Sequence, residues 1–205
     1  MIKLKYCGLS REEDIETVNR LKPDFIGFVF AEKSKRYITK EQAIRLKQLL
    51  LPKIKAVGVF VNEDVKKVAE YLNEDIIDIA QLHGDEDETY IQHLRSLSEK
   101  HIIKAFKIKK KDDLIPVRLS SADYILLDSG AGSGDAFDWD LVKSVERPYF
   151  LAGGLSVKNV ETAIRNLNPY GLDVSSGIET DGVKDPVKME TFMELARKTE
   201  AKINI

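Results

Sequence analysis

Six stretches carry side chains able to do chemistry, and each follows an apolar run: Cys7-Gly8, Ser34-Lys35-Arg36-Tyr37, Gln81-Leu82-His83-Gly84, Asp128-Ser129-Gly130, Ala152-Gly153-Gly154-Leu155 and Asp173-Val174-Ser175-Ser176-Gly177. Strand residues alternate faces, so Lys3, Lys5 and Cys7 share one face while Ile2, Leu4 and Tyr6 share the other. If the apolar set packs against helices, Lys5 and Cys7 point inward together. An ammonium beside a thiol favours thiolate, which makes Cys7 a candidate base; a buried, inert thiol is the alternative. Asp128 follows Ile125-Leu126-Leu127, where a carboxylate is costly to bury without a task or a partner. Its alternative role is a cap for the loop that follows. Arg36 has the planar fork that clamps a carboxylate bidentately, or it is a solvated loop charge. His83 is either a ligand or proton carrier, or a hydrogen-bonded structural histidine.

Asp173 ends a short strand directly before Ser175-Ser176-Gly177, which reads as a substrate contact beside a phosphate cradle. Glycine lets backbone amides approach phosphate oxygens, so Gly153, Gly154, Ser176 and Gly177 form the expected phosphate site. Tight turns alone would also explain these glycines. The run Gly130-Ala131-Gly132-Ser133-Gly134 is superficially a dinucleotide fingerprint. The spacing fails, because Asp135 stands where the third glycine belongs, so a loop over the site is expected instead. His83, His93 and His101 show no metal-ligand spacing, and Ser129 has no His/Asp arrangement to activate it.

The elements that would position these groups repeat as an apolar strand followed by an amphipathic helix. Strands are expected at residues 2–6, 25–30, 54–61, 76–82, 102–108, 124–128, 149–152 and 171–174. Ser10 with Glu13, and Thr39 with Gln42, have the spacing of capping boxes, and Ala43, Leu46, Leu49 and Leu50 make the stripe of the second helix. Further helices are expected at about 64–72, 86–97, 112–119, 139–145, 156–166 with Ser156 as N-cap, and 185–198. Eight such units in 205 residues predict one closed (β/α)8 domain spanning 1–205, near the short limit of that fold. In such barrels the active site gathers at the strand C-termini, and phosphate sits after strands seven and eight.

With 32 Lys+Arg against 34 Asp+Glu and a net charge of -2, nothing favours nucleic acid or an anionic membrane surface. A single cysteine forbids an internal disulfide and suits a reducing, cytoplasmic setting. No signal-peptide core and no membrane-length apolar run is expected.

Read in order, Lys5-Tyr6-Cys7-Gly8, Gly27-Phe28-Val29-Phe30, Ser34-Lys35-Arg36-Tyr37, Gln81-Leu82-His83-Gly84, Leu126-Leu127-Asp128-Ser129, Ala152-Gly153-Gly154-Leu155 and Asp173-Val174-Ser175-Ser176-Gly177-Ile178-Glu179 resemble the phosphoribosylanthranilate isomerases. Each motif alone is weak; the ordered set is specific and covers nearly the whole chain. Lys35 stands where many members have Pro, and Tyr6 where many have Ile. The resemblance implies a TIM barrel acting in tryptophan biosynthesis on a phosphosugar, by an Amadori rearrangement that needs no cofactor and no metal. It implies Cys7 as general base and Asp128 as general acid, with apolar surroundings raising the carboxyl pKa and positive charge lowering that of the thiol. It further implies Arg36 and Asp173 at the anthranilate end, Gly154 and Gly177 with neighbouring amides as the phosphate grip, and a monomer or homodimer; His83 is expected among the substrate-binding residues. The competing readings are a histidine-pathway aldose–ketose isomerase, which resembles an Asp/Asp pair with two phosphate sites, and a silent binding module that keeps the phosphate grip.

Overall fold

Eight parallel strands close on themselves in the computed structural model, which describes residues 1–128 and 139–203. They are β1 (Lys3–Cys7), β2 (Phe25–Val29), β3 (Lys55–Phe60), β4 (Ile79–Leu82), β5 (His101–Lys107), β6 (Tyr124–Asp128), β7 (Tyr149–Ala152) and β8 (Gly171–Val174). Each pairs with the next, and β8 returns to β1 with Lys5 opposite Asp173. The helices between and after them are α1 (Glu12–Leu21), α2 (Lys40–Leu49), α3 (Val65–Asn73), α4 (Glu88–Leu97), α5 (Leu114–Leu119), α6 (Trp139–Lys143), α7 (Val160–Leu167) and α8 (Pro186–Ile203).

Alternation along the strands sorts two cores. Leu4, Tyr6, Ile26, Phe28, Phe60, Ile125, Leu127 and Leu172 point outward into the layer packed against the helices, and the Tyr6 hydroxyl donates to the Met189 carbonyl of α8. Phe25, Val57, Ile79, Ile103, Leu126 and Phe150 point inward and fill the lower barrel. Lys5 and Cys7 lie on the inward face, as the alternation requires, with Cys7 packed among Val29 and Val59 near the mouth.

Several local expectations shift. The cap of α1 is not Ser10 with Glu13. Arg11 is the N-cap, and the Asp14 carboxylate accepts from the amides of Ser10 and Arg11 at 3.0 and 3.1 Å. Thr39 and Gln42 do form a reciprocal cap on α2, but Leu49 of its stripe is exposed. Ser156 opens a turn rather than α7, whose N-cap is Asn159. Glu86 is not the first turn of α4: its carboxylate accepts from the amides of Asn62 and Gly84 and from Lys104, so it ties the loops after β3 and β4 to β5. After β8 the chain makes a two-stranded hairpin, β9 (Glu179–Thr180) and β10 (Val183–Lys184), and α8 then runs beyond the expected end at 198 to Ile203. The glycine-rich run from Gly130 to Gly134, Ser129 and Asp135 lie outside the described residues.

Candidate active site

The C-terminal strand ends surround a cavity of about 530 Å³ lined by Cys7, Arg36, Gln81, His83, Asp128 and Asp173. Gly153, Gly154 and Ser176 also line it, and Gly177 lies next in the chain. The expected residues therefore converge. They come from the ends of β1, β2, β4, β6, β7 and β8 or the loops that follow them, and β1 and β6 put Cys7 and Asp128 on separate parts of the wall.

Inside the mouth the Lys5 ammonium donates to both oxygens of Asp173, at 2.9 and 3.1 Å, with both side chains buried. Burial opposes the charge on Lys5, but Asp173 and Cys7 more than offset this and hold its pKa above the usual value. The thiol responds differently from the expectation. Burial pushes Cys7 up; Lys5 pulls it back only in part, and the negative charge of Asp173 cancels some of that help. The expected low-pKa thiolate is thus corrected: burial outweighs the pull of Lys5, and Asp173 cancels part of that pull.

Arg36 is not a solvated loop charge. Its Nε and Nη2 donate to the two oxygens of Glu179 at 2.6 and 2.7 Å, which raises the guanidinium pKa further. This pairing uses one edge of the fork and leaves the Nη1–Nη2 edge. Glu179 also accepts from Lys184 Nζ at 2.6 Å. Burial pushes Glu179 up, but its two cations win and lower it, whereas burial lowers Lys184. Lys184 further donates to the Ser175 carbonyl at 2.9 Å, and the Ser175 hydroxyl donates to the Cys7 carbonyl at 2.9 Å. One chain of charge and hydrogen bonds therefore runs from Arg36 through the hairpin to the end of β1.

His83 bridges Gln81 and Asp128, with Nδ1 3.2 Å from Gln81 Nε2 and Nε2 3.1 Å from Asp128 Oδ2. At the opposite wall, Gly177 is pressed against the preceding loop: a Cβ there would stand 1.8 Å from the Leu155 carbonyl oxygen. That approach joins the loops after β7 and β8. Asn159 holds the first of them through the Ser156 amide and the Gly154 carbonyl, leaving the amides of Gly153 and Gly154 outside these bonds.

Glu179, Lys184 and Gln81 are the residues that motif reading left without a role. The hairpin was detectable, since Asp181-Gly182 is a two-residue turn signal and both residues have positive φ, 52° and 79°. The Gln81 contact depends on β4 register and had no comparable signal.

A closed parallel barrel with its acid, thiol, guanidinium and glycine loops gathered at the strand C-termini defines a (β/α)8-barrel enzyme. Residues 4–195 match the family model for N-(5'-phosphoribosyl)anthranilate (PRA) isomerase. An N-(5'-phosphoribosyl)anthranilate isomerase of Thermoanaerobacter sp. (strain X514) is 47% identical over 204 residues, covering 96% of this chain and 98% of that one. The crystal structure of phosphoribosyl anthranilate isomerase from Thermotoga maritima superposes with a TM-score of 0.89 at 34% identity, covering 97% of this chain and all of that one (100%). A further structure, with TM-score 0.86 and 33% identity over 97% of this chain and 100% of its own, is a phosphoribosyl anthranilate isomerase in complex with reduced 1-(o-carboxyphenylamino)-1-deoxyribulose 5-phosphate. The chain belongs to the N-(5'-phosphoribosyl)anthranilate isomerase family. It is an aldose–ketose isomerase of tryptophan biosynthesis. Among the described residues no helix is long and apolar enough to cross a membrane.

Proposed function

We propose that the chain rearranges N-(5'-phosphoribosyl)anthranilate to 1-(2-carboxyphenylamino)-1-deoxyribulose 5-phosphate with Asp128 as general acid and Cys7 as general base. Asp128, protonated, donates to the ribose ring oxygen as the bond from that oxygen to C1' breaks, giving a Schiff base. Cys7, as thiolate, takes the proton from C2'. The enolamine so formed tautomerises to the ketone, its C2' hydroxyl giving up a proton and C1' gaining one. Protons are only moved within the reaction, so an acid and a base suffice without cofactor or metal. The observation that carries this reading is that Cys7 and Asp128 line the same cavity as Arg36 and the glycine loops.

The raised thiol pKa has a consequence for the base. Less thiolate is present at neutral pH, but each thiolate is a stronger base, and Lys5 stands by to stabilise the charge. The Nη1–Nη2 edge of Arg36 takes the anthranilate carboxylate while Glu179 and Lys184 hold the other edge. Asp173 keeps acceptor capacity beyond its two bonds from Lys5 and meets the amine end. His83 stays at the acid. The amides of Gly153, Gly154, Ser176 and Gly177 grip the phosphate, so both ends of the substrate are fixed and its ribose lies between acid and base. Every named group comes from one chain, so a monomer is sufficient for the chemistry and a homodimer is compatible with it. We also read 1–205 as a single domain working in the cytoplasm, since one lone cysteine suits a reducing compartment.

Incubating the purified chain with phosphoribosylanthranilate should abolish the substrate's anthranilate fluorescence as product forms. An absence of turnover would favour a silent phosphate-binding module.

A further inference from the structure

Gly27 lies at the middle of β2, in register with Cys7 of β1. Its neighbours fix its direction. Ile26 and Phe28 point outward to the helix layer, while Phe25 and Val29 point into the barrel, so position 27 faces inward beside the thiol. A glycine weakens a strand interior, where it has no side chain to pack. Gly27 is not among the glycines with positive φ, so no unusual backbone conformation calls for it. What calls for it is occupied space. A Cβ there would stand 2.7 Å from Cys7 Sγ, 3.1 Å from Cys7 Cα and 3.1 Å from Lys5 Nζ. By contrast, a Cβ at Gly58 on β3 would first meet the apolar side chains of Ile77 and Phe60. The Gly27 carbonyl also accepts from the amides of Gly8 and Leu9 at 2.9 and 3.1 Å, fixing the chain directly after the thiol.

We propose that Gly27 is a positioning residue for the isomerisation: its missing side chain leaves the space in which the Cys7 thiol and the Lys5 ammonium lie together. This rests on Cys7 being the general base. Charged groups act on the thiol from several sides: Lys5 on its own strand, Asp173 on β8, Lys184 on β10 and Arg36 in the loop after β2. Asp128 and His83 line the same cavity from β6 and the loop after β4. Of all these, Lys5 is the one among the nearest contacts of a Cβ at position 27. An alanine methyl there would drive Nζ toward Asp173, which already holds it at 2.9 and 3.1 Å, and would set apolar surface against Sγ. Both changes disfavour the thiolate. Arg36 and the glycine loops, which hold the two ends of the substrate, are left in place.

The test uses the full chain, whose lone cysteine makes alkylation by iodoacetamide specific to Cys7. In Gly27→Ala the alkylation midpoint should rise by about one pH unit. Near neutral pH, kcat should fall by roughly three- to tenfold, because the loss of thiolate outweighs the gain in its basicity. It should climb back toward the wild-type value in alkaline buffer, and KM should stay within about twofold. An unchanged midpoint in the folded variant would overturn the proposal, as would a loss of kcat that alkaline buffer does not relieve. A double variant covers a failure to fold. Alanine at position 27 should cost less stability in a Cys7→Ala background than in the wild type, since the nearest atom, Sγ, is gone. An equal cost, or a Gly27→Ala chain that stays unfolded even with Cys7→Ala, would assign the glycine to backbone packing alone and reject the proposal. Near-full turnover of Cys7→Ala would instead reject the reading of Cys7 as base on which the proposal rests.

Discussion

Two cavities of nearly equal volume open at opposite ends of this barrel. The one at the strand C-termini measures about 530 Å³ and the one at the N-terminal ends about 500 Å³. Both are lined by charged residues, so neither size nor polarity separates them. What separates them is where the polar atoms are spent. At the N-terminal end Arg147 donates to the carbonyls of Val117, Ser120 and Ala122, at 3.2, 2.8 and 3.1 Å, and stitches loops together. Glu200 there binds the Ile2 amide and the chain's amino terminus. At the C-terminal end the charges are held but not used up. Among the described residues, Arg36 keeps an edge of its fork, Asp173 keeps lone pairs, Gln81 keeps an unpaired oxygen, and the loop after β7 keeps the amides of Gly153 and Gly154. The lower barrel is built to stay closed and the upper barrel to receive a ligand.

This comparison yields its largest effect at Phe150. That ring is buried among Phe25, Tyr124 and Tyr170, with centroid separations of 5.6, 6.0 and 5.4 Å. Its fit is close: a Cβ at Gly171 would stand 2.4 Å from it. Phe150→Ala should cost about 3–5 kcal/mol of unfolding free energy, while KM at a temperature where the variant is folded stays near that of the wild type. Denaturant titration and steady-state kinetics on the same samples would check both halves. A large rise in KM with little loss of stability would show that the two ends are not separable in this way.

A smaller effect concerns the thiol. Burial holds the Cys7 pKa above its ordinary 9.0 against the pull of Lys5. The sign follows directly: at neutral pH the thiol form dominates, and thiolate grows as pH rises beyond 9.0. Alkylation of Cys7 by iodoacetamide should be slow near neutrality and should accelerate into the alkaline range. Lys5→Met should move the midpoint higher still. Fast alkylation with a midpoint below neutrality would contradict the geometry in which Asp173 neutralises Lys5.

Much of this was legible in the sequence, for definite reasons. Period-two alternation in residues 2–7 fixed which face of β1 held Lys5 and Cys7, and the inward face follows once the apolar set is packed on helices. Strand ends at Asp128, Ala152 and Val174 were marked by abrupt changes from apolar to polar residues or glycine. Helix starts were less legible, because a cap depends on which nearby carboxylate reaches the amides. Asp14 rather than Glu13 does so at α1, and Glu86 is drawn off by Lys104. The charge state of Cys7 was not legible either. It depends first on how deeply the closed barrel buries the thiol, and then on Lys5 and on Asp173, which lies 166 positions from the thiol in sequence and is brought opposite Lys5 only by closure of β8 onto β1. Likewise, the partnership of Arg36 with Glu179 exists only because the hairpin after β8 folds back over the mouth.

The central claim is that Cys7 and Asp128 perform the proton transfers while the rest of the mouth holds the substrate. It is tested most directly by comparing Cys7→Ala and Asp128→Asn with the wild type in turnover of phosphoribosylanthranilate and in calorimetric binding of a reduced product analogue. Each variant should lose on the order of 10²–10⁴ in kcat and still bind the analogue with an affinity close to that of the wild type. Near-full turnover by either variant, or loss of binding that parallels loss of turnover, would contradict the account.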